Sequence, residues 1–289
     1  MEAPDPATAT EKAEVTFRDR IATVDEEGGR NWIYPKKPFG RFFRWRTWVS
    51  WLLLAFLFLA PFIRINDEQL LLFNVLERKF VLFGITFWPQ DFHLFVLLMI
   101  ASVVFIFLFT AVYGRIFCGW ICPQTIFMEM VFRKIEYLIE GDAHKQRALH
   151  AAPWTTGKIL KKVSKQVIFF GISFLISNLF LAYIIGMDEL LEIVTAPPSA
   201  HLTGFITILL FSGAFYFVFS WFREQVCTLV CPYGRLQGVL LDESSVVISY
   251  DFVRGEPREK FRKNVERKAG DCVDCHQCVV VCPTGIDIR

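Results

Sequence analysis

Four stretches of the chain, residues 47–63, 92–114, 166–187 and 201–222, contain no Asp, Glu, Lys or Arg. A membrane-crossing helix needs about 20 mainly apolar residues, with a range of about 17–25. Inside lipid such a segment must be helical, because an unpaired backbone group there costs several kcal/mol. The first stretch is the shortest and contains Pro61, but Trp45, Trp48 and Trp51 give it an aromatic anchor at the interface. The pattern predicts an α-helical integral membrane protein with about four transmembrane helices.

The connectors predict an orientation. Lys36, Lys37, Arg41, Arg44 and Arg46 precede the first span, and Arg133, Lys134, Lys145, Arg147, Lys158, Lys161, Lys162 and Lys165 lie between the second and third. Such clusters stay on the cytoplasmic side. Residues 64–91 and 188–200 are poorer in Lys and Arg, and the charges of the latter are Asp188, Glu189 and Glu192, so both should face outward. The chain is therefore expected to be multi-pass with both ends inside. Its first apolar run lies too far along for a cleavable signal peptide.

Between these spans the pattern is mixed. "INDEQLLLFNVLERKFVLFGITFWPQ", residues 65–90, reads as a segment along the outer interface or as a packed loop. "GRIFCGWICPQTIFMEMVFRKIEYLIEGD", residues 114–142, predicts a helix opened by Pro123 and closed by Gly141. Ile126, Met130, Phe132, Ile135 and Leu138 give that helix an apolar side; Glu129, Arg133, Lys134 and Glu136 give it a polar one, so it should lie on the inner membrane surface. Residues 246–271 read as a short strand, a turn at 255–257 and a basic stretch. The expected organisation is an N-terminal cytoplasmic tail (1–40), a four-helix transmembrane domain (41–240), a cytoplasmic linker (241–269) and a ferredoxin-type segment (270–289).

Composition agrees with a membrane protein: 54% of the 289 residues are hydrophobic, and 31 Phe and 8 Trp are present. Mean hydropathy is +0.39, above that of ordinary soluble domains. A net charge of +2 points to no nucleic-acid partner. No phosphate loop, nucleophile triad or paired-carboxylate site is present.

The chemistry lies in the 8 cysteines, which fall into three groups. Cys272-x2-Cys275-x2-Cys278-x3-Cys282-Pro283 is the bacterial ferredoxin run for a [4Fe-4S] cluster. Its spacing predicts one cube on Cys272, Cys275 and Cys278, with Cys282 reaching toward a second cluster. A four-sulfur zinc site is the alternative, although zinc sites usually use two pairs separated by a longer gap. The missing ligands belong either to a second cysteine run beyond this chain or to the cysteines beside the membrane.

The other groups repeat one another. "CGWICPQT" holds Cys118 and Cys122, "CTLVCPYG" holds Cys227 and Cys231, and each follows a span. If each span continues as a helix through its pair, residues four apart share a face. Two matching pairs suggest a single site, and four thiolates suit an iron-sulfur cube, zinc or Cu(I). The alternative is buried cysteines acting as small apolar residues. His93 and His201, at the outer span ends, are haem or copper ligands or else interfacial anchors; His144, His150 and His276 read as solvated.

The two Cys-x3-Cys-Pro motifs, "SYDFVRGEPR" from Ser249 and "CVDCHQCVVVCPTGIDIR" from Cys272 together resemble the cytochrome c oxidase accessory proteins of the CcoG type, also called FixG or RdxA. The resemblance implies a bacterial inner-membrane protein with one or two [4Fe-4S] clusters that assists assembly of the cbb(3)-type oxidase. It implies a cupric reductase that converts Cu(II) to Cu(I), with Cys118, Cys122, Cys227 and Cys231 binding copper or passing it the electron. Copper chaperones and cbb(3)-type oxidase subunits are the implied partners, beside the lipid bilayer and an electron donor the sequence does not name. The oligomeric state stays open, a homodimer included. Members of that family continue past "PTGIDIR" with a second cysteine run, a further span and an immunoglobulin-like domain, so this chain reads as truncated. A more distant resemblance, to NapH- and NosR-like membrane ferredoxins, implies a quinol-linked conduit, and a non-redox assembly scaffold is the reading from another class.

Overall fold

Helix α1, Arg41–Leu59, begins after Gly40 and runs into a tight turn at Ala60–Phe62 that contains Pro61. In this computed structural model, which describes residues 29–65, 68–75, 78–88, 90, 92–197, 201–242, 244–260 and 270–288, four helices are long and apolar enough to cross a membrane. They are Arg41–Phe62, His93–Tyr113, Thr156–Ile185 and Leu202–Phe222. Each charge-free stretch of the sequence falls on one of them. The third span differs most, because its helix starts ten positions earlier, where Thr155 caps it by accepting a hydrogen bond from the Lys158 amide at 3.4 Å. The lysines of that first part belong to the helix.

The connector between the first two spans, expected as an interfacial segment or a packed loop, is built of short strands. Strands β1 (Arg64–Ile65) and β2 (Glu68–Gln69) pair antiparallel, and β3 (Leu71–Asn74), β4 (Lys79–Leu82) and β5 (Ile85–Phe87) form a three-stranded meander. Leu82 pairs with Ile85 across a two-residue turn in which Phe83 and Gly84 both have positive φ, the geometry that suits the twist of a hairpin. Leu70, Leu72 and Asn74 are buried by alternation, and Gln69 ties the sheet to the helices, donating to the Ala182 carbonyl at 3.3 Å and accepting from the Met187 amide at 3.3 Å.

After α2 (Phe92–Tyr113) come α3 (Ile116–Trp120), α4 (Pro123–Ile126), a π-helical segment (Phe127–Phe132), α5 (Arg133–Ile139) and α6 (Ala143–Ala151). Helix α7 (Thr156–Ile185) is followed by α8 (Met187–Thr195), α9 (Leu202–Phe217) with a π-helical end (Val218–Phe222), a second π-helical turn (Val226–Val230) and α10 (Pro232–Leu240). Short helices α11 (Phe252–Gly255) and α12 (Gln277–Val281) close the order. The chain divides into two units, one of residues 39–141 and 148–247 with the spans, the other of 1–38, 142–147 and 248–289 with the ferredoxin run.

The helix from Pro123 to Ile139 corrects the expectation of a surface-lying amphipathic element. Ile126, Phe127, Met128 and Phe132 form the core of the membrane unit with Leu54, Phe169, Ile176 and Phe219. Phe132 stacks on Phe219 at 4.6 Å and meets Phe169 edge-on at 4.9 Å, contacts worth about 0.5–1.5 kcal/mol each beyond area. Its supposedly solvated charges are inside: Arg133 is 2% exposed and Glu136 4%, while the apolar Leu138 is 84% exposed. Along the spans, where lipid removes the hydrophobic drive between helices, α7 and α9 are joined by a Ser177–Ser212 hydrogen bond of 2.6 Å.

Two further expectations change. No strand forms over 246–251; the Val246 amide instead donates to the Val112 carbonyl at 3.2 Å, docking the chain on the end of α2. In the second unit, the Lys36 amide donates to the Val280 carbonyl at 2.9 Å and Ile33 lies against Gly285, so residues 33–36 pack on the cysteine segment where the sequence reads a tail. The remaining tail, 1–28, and the basic stretch over 261–269 lie outside the described residues.

Candidate iron-sulfur and thiol sites

Neither span continues as a helix through its cysteine pair. Helix α2 stops at Gly114, whose φ is +57 and where a Cβ would come within 2.7 Å of the Val246 carbonyl oxygen, so a side chain is doubly disfavoured. The chain then restarts as α3, which carries Cys118. Cys122 follows with φ −56 and ψ 123 as the N-cap of α4, with Pro123 at the first helical position. The second pair repeats the device: Cys231 has φ −68 and ψ 112, caps α10 and precedes Pro232. Even the closing hydrogen bonds match, since the Cys122 amide donates to Phe117 at 3.1 Å and the Cys231 amide to Val226 at 2.8 Å, each five residues back. Proline without an amide hydrogen sets both breaks.

The two pairs lie near enough to influence one another's ionisation. Burial and then the neighbouring Cys122, Cys227 and Cys231 push the Cys118 thiol from 9.0 up to about 12, with Arg115 acting against them. Burial, then Cys122 and Cys231, with Glu224 and Glu129 behind them, push the Cys227 thiol up to about 11. Cys118 also contacts the buried Gln237 on α10 at 3.4 Å, and Tyr233 on the same helix hydrogen-bonds Thr110 and meets Phe117 edge-on at 5.9 Å. Among the described residues, no three His, Cys, Asp or Glu side chains are gathered closely enough to hold a metal ion as they stand. The donor set nonetheless fits a soft cation or cluster: four sulfurs from two equivalent turns, in a partly buried setting. His93 and His201 join no such group; His201 faces Glu192 at 4.0 Å.

Close packing at the second turn is strict. A Cβ on Gly234 would lie 2.4 Å from the Cys227 carbonyl oxygen and 3.7 Å from Cys231 Cβ. Gly234→Ala is therefore expected to displace the second pair and to cost about 1–3 kcal/mol as an overpacked site does, measured as a fall in thermal stability together with faster alkylation of Cys227.

Largely buried ion pairs, which the sequence pattern does not show, join the run after the first turn to the third span and to the approach to the second turn. Lys162 and Lys165 each bind Glu140 at 2.9 Å, Lys165 reaches Glu136 at 3.3 Å, and Arg223 grips Glu136 through both terminal nitrogens. Arg133 binds Glu129 at 2.7 Å and Glu224 at 3.6 Å. Burial alone would raise the Glu136 carboxyl, yet Arg223, Lys165 and Arg133 prevail and hold it at about 2. At Glu129 burial wins over Arg133 and moves the carboxyl up. The available signal was Arg223-Glu224 at the end of a span, directly ahead of a cysteine pair.

In the other unit, Asp274 (φ 48) and His276 (φ 54) occupy left-handed conformations inside the two x2 gaps, so the backbone coils between Cys272, Cys275 and Cys278. Cys278 sits on α12, and Cys282 caps its end, 3.2 Å from the Thr284 hydroxyl. The "SYDFVRGEPR" stretch, expected as part of a linker, folds around the start of this run. Asp251 caps α11 through the Arg254 amide at 3.1 Å, Arg254 pairs with Asp271 at 2.6 Å, and the Tyr250 hydroxyl contacts both Glu256, at 3.3 Å, and Cys272. Coiled x2 gaps and four thiols fit the three-plus-one ligand pattern of a ferredoxin run.

Comparison with known proteins agrees with this chemistry. Residues 222–289 match the family described as a 4Fe-4S dicluster domain, and residues 95–140 match a 4Fe-4S binding domain. The chain is 37% identical to the nitrogen fixation protein FixG of Rhizobium meliloti, over 90% of this chain and 51% of that protein. It is 36% identical to protein RdxA of Cereibacter sphaeroides, over 89% of this chain and 55% of the relative. It is 23% identical to the uncharacterized protein MJ0750 of Methanocaldococcus jannaschii, over 80% of each. The chain spans about half the length of the FixG and RdxA proteins it matches. No solved structure matches it.

Proposed function

Since the chain belongs to the FixG/RdxA family, of whose members it spans about half, we propose that it is a membrane iron-sulfur electron-transfer protein that reduces Cu(II) to Cu(I) for assembly of a cbb(3)-type cytochrome c oxidase. The observation that carries this reading is the ferredoxin run at Cys272, Cys275, Cys278 and Cys282, in the same chain as two matching Cys-x3-Cys-Pro turns that each follow a membrane span. In this reading Cys272, Cys275 and Cys278 hold a [4Fe-4S] cluster, and Cys282 serves a second one. A bound cluster of this kind supplies one-electron chemistry at a potential tuned by its surroundings.

Cys118, Cys122, Cys227 and Cys231 then bind copper or pass the electron to it. Each Cu(II) accepts one electron and leaves as Cu(I), so the exchange balances without a proton. Soft thiolates favour Cu(I) over harder ions, and a partly buried site strengthens that preference by keeping water from competing. Lysines and arginines before the first span and between the second and third support a cytoplasmic side for those segments, and in this reading the ferredoxin run lies on the same side of a bacterial inner membrane. Copper chaperones and oxidase subunits are the partners of this reading, and an electron donor of lower potential must supply each electron.

The test is turnover of Cu(II) by anaerobically purified protein given a low-potential one-electron donor. Replacing Cys272, Cys275 and Cys278 together by Ser is expected to abolish both the cluster's paramagnetic signal and copper reduction. Copper reduction at an undiminished rate in that variant would overturn the proposal.

A further inference from the structure

Arg223 has φ 50 and ψ −124, a backbone conformation that glycine adopts readily and arginine does not. It stands at the break between the fourth span and the second cysteine turn. Strain of this kind persists only where the surroundings over-determine it. Here they do: the Arg223 amide donates to the Val218 carbonyl at 2.6 Å and its Nε donates to the Ser220 carbonyl at 3.1 Å. Its two terminal nitrogens fork onto the Glu136 carboxylate, with the second contact at 3.1 Å from Nη1 to Oε2. Both side chains are buried, 6% exposed each.

What lies on either side of this pair gives it direction. Glu136 belongs to the helical run that begins at the Cys122 cap. On the other side, the Arg223 carbonyl accepts from the Val226 amide at 3.2 Å, and the Glu224 carbonyl accepts from the Cys227 amide at 3.2 Å. The side chain of Glu224 is held in turn by Arg133, also on the first helical run. A rigid path therefore leads from Cys122 through Glu136 and Arg223 to the turn that presents Cys227. A glycine at position 223 would give the bend without strain. An arginine gives the bend and a bidentate hold that a point charge such as lysine cannot reproduce.

We propose that the Glu136–Arg223 pair is a latch that sets one Cys-x3-Cys-Pro turn in register with the other, making Arg223 and Glu136 positioning residues of the four-sulfur site. This rests on the reading that the four thiols act together. It adds that their convergence is held by a side-chain pair outside the site, in addition to the packing of the spans.

The test uses the full chain with Cys272, Cys275, Cys278 and Cys282 replaced by Ser, stripped of metal and held in lipid nanodiscs. The short bifunctional thiol reagent dibromobimane is added, and peptide mapping separates cross-pair links (Cys118 or Cys122 with Cys227 or Cys231) from links within a pair. Arg223→Gly and Glu136→Gln are each expected to slow cross-pair linking by about tenfold or more, the scale on which small misplacements act at a positioned site. Links within a pair should keep their rate, and Arg223→Lys should fall between. Cross-pair rates unchanged in both variants, or a parallel change in both kinds of link, would overturn the latch. Absence of cross-pair links in the parent would overturn the shared site itself and the latch with it.

Discussion

Replacement of Arg133 by Met is expected to destabilise the membrane unit by about 3–5 kcal/mol, the usual result of removing one partner from a buried ionic group. Arg133 is 2% exposed and lies between Glu129, at 2.7 Å, and Glu224, at 3.6 Å. Without it two carboxylates remain in a site with little water, and each must either stay charged at a desolvation cost or take up a proton. The methionine side chain fills similar volume, so the loss would report charge more than packing. A triple replacement, Glu129→Leu, Arg133→Met and Glu224→Leu, removes the uncompensated charges along with the guanidinium, and should recover most of the loss, because a well-packed apolar replacement of a whole buried ionic cluster is often neutral. Thermal unfolding in one detergent at fixed protein concentration would measure both. Equal stability of Arg133→Met and the parent would show that the ion pairs contribute nothing, and a triple variant no better than the single would place the cost in packing.

The spans are legible in the sequence and this network is not, and the reason is physical. A bilayer imposes a constraint that can be read residue by residue: about 20 positions with no charge. Burial of Arg133 and Glu136 depends on partners far along the chain, Arg223 standing 87 positions from Glu136. Spacing along one helix shows which charges share a face, and cannot show that Lys165 and Arg223 come to meet them. For this reason the run from Pro123 read as a surface element although it holds the centre of the core.

The cysteines show the same division. Their grouping, the repeated Cys-x3-Cys-Pro and the ferredoxin spacing are local and were legible, and so was the helix start that Pro123 sets. The break at Gly114 was not, since its need for glycine comes from the Val246 carbonyl far downstream. The hairpin after the first span was also missed. Its polar Glu68, Gln69 and Asn74 interrupt the apolar alternation, and Phe83 at φ 53 is an unusual residue for such a turn. In the second unit, Asp251, Arg254 and Tyr250 were recognisable as a motif, while their service to the Cys272 end of the run required the fold.

In the metal-free protein, Cys118 should alkylate far more slowly than the same cysteine in the denatured chain. Burial first, and then the neighbouring thiols, raise it from 9.0 to about 12, and Cys227 rises to about 11. A thiol is neutral when protonated, so an upward shift keeps it in the unreactive form. Because the thiolate is the nucleophile, at pH 8 the reactive fraction of Cys118 should fall by about a thousandfold relative to an unshifted thiol, and that of Cys227 by about a hundredfold, with each pH unit a factor of ten. The same shift sets the sign of the pH dependence of stability. Below pH 9 the thiol is protonated in both folded and unfolded chains and contributes no slope; above it the unfolded chain releases protons that the folded chain retains, so stability falls as pH rises toward about 11–12. A bound soft cation would reverse this, because it requires the thiolates and drives their protons off, making binding tighter at higher pH. Iodoacetamide labelling of metal-free protein at graded pH, followed by mass mapping of Cys118 and Cys227, would measure the shift. Labelling of both residues at the denatured-state rate would show that the four sulfurs neither crowd nor bury one another.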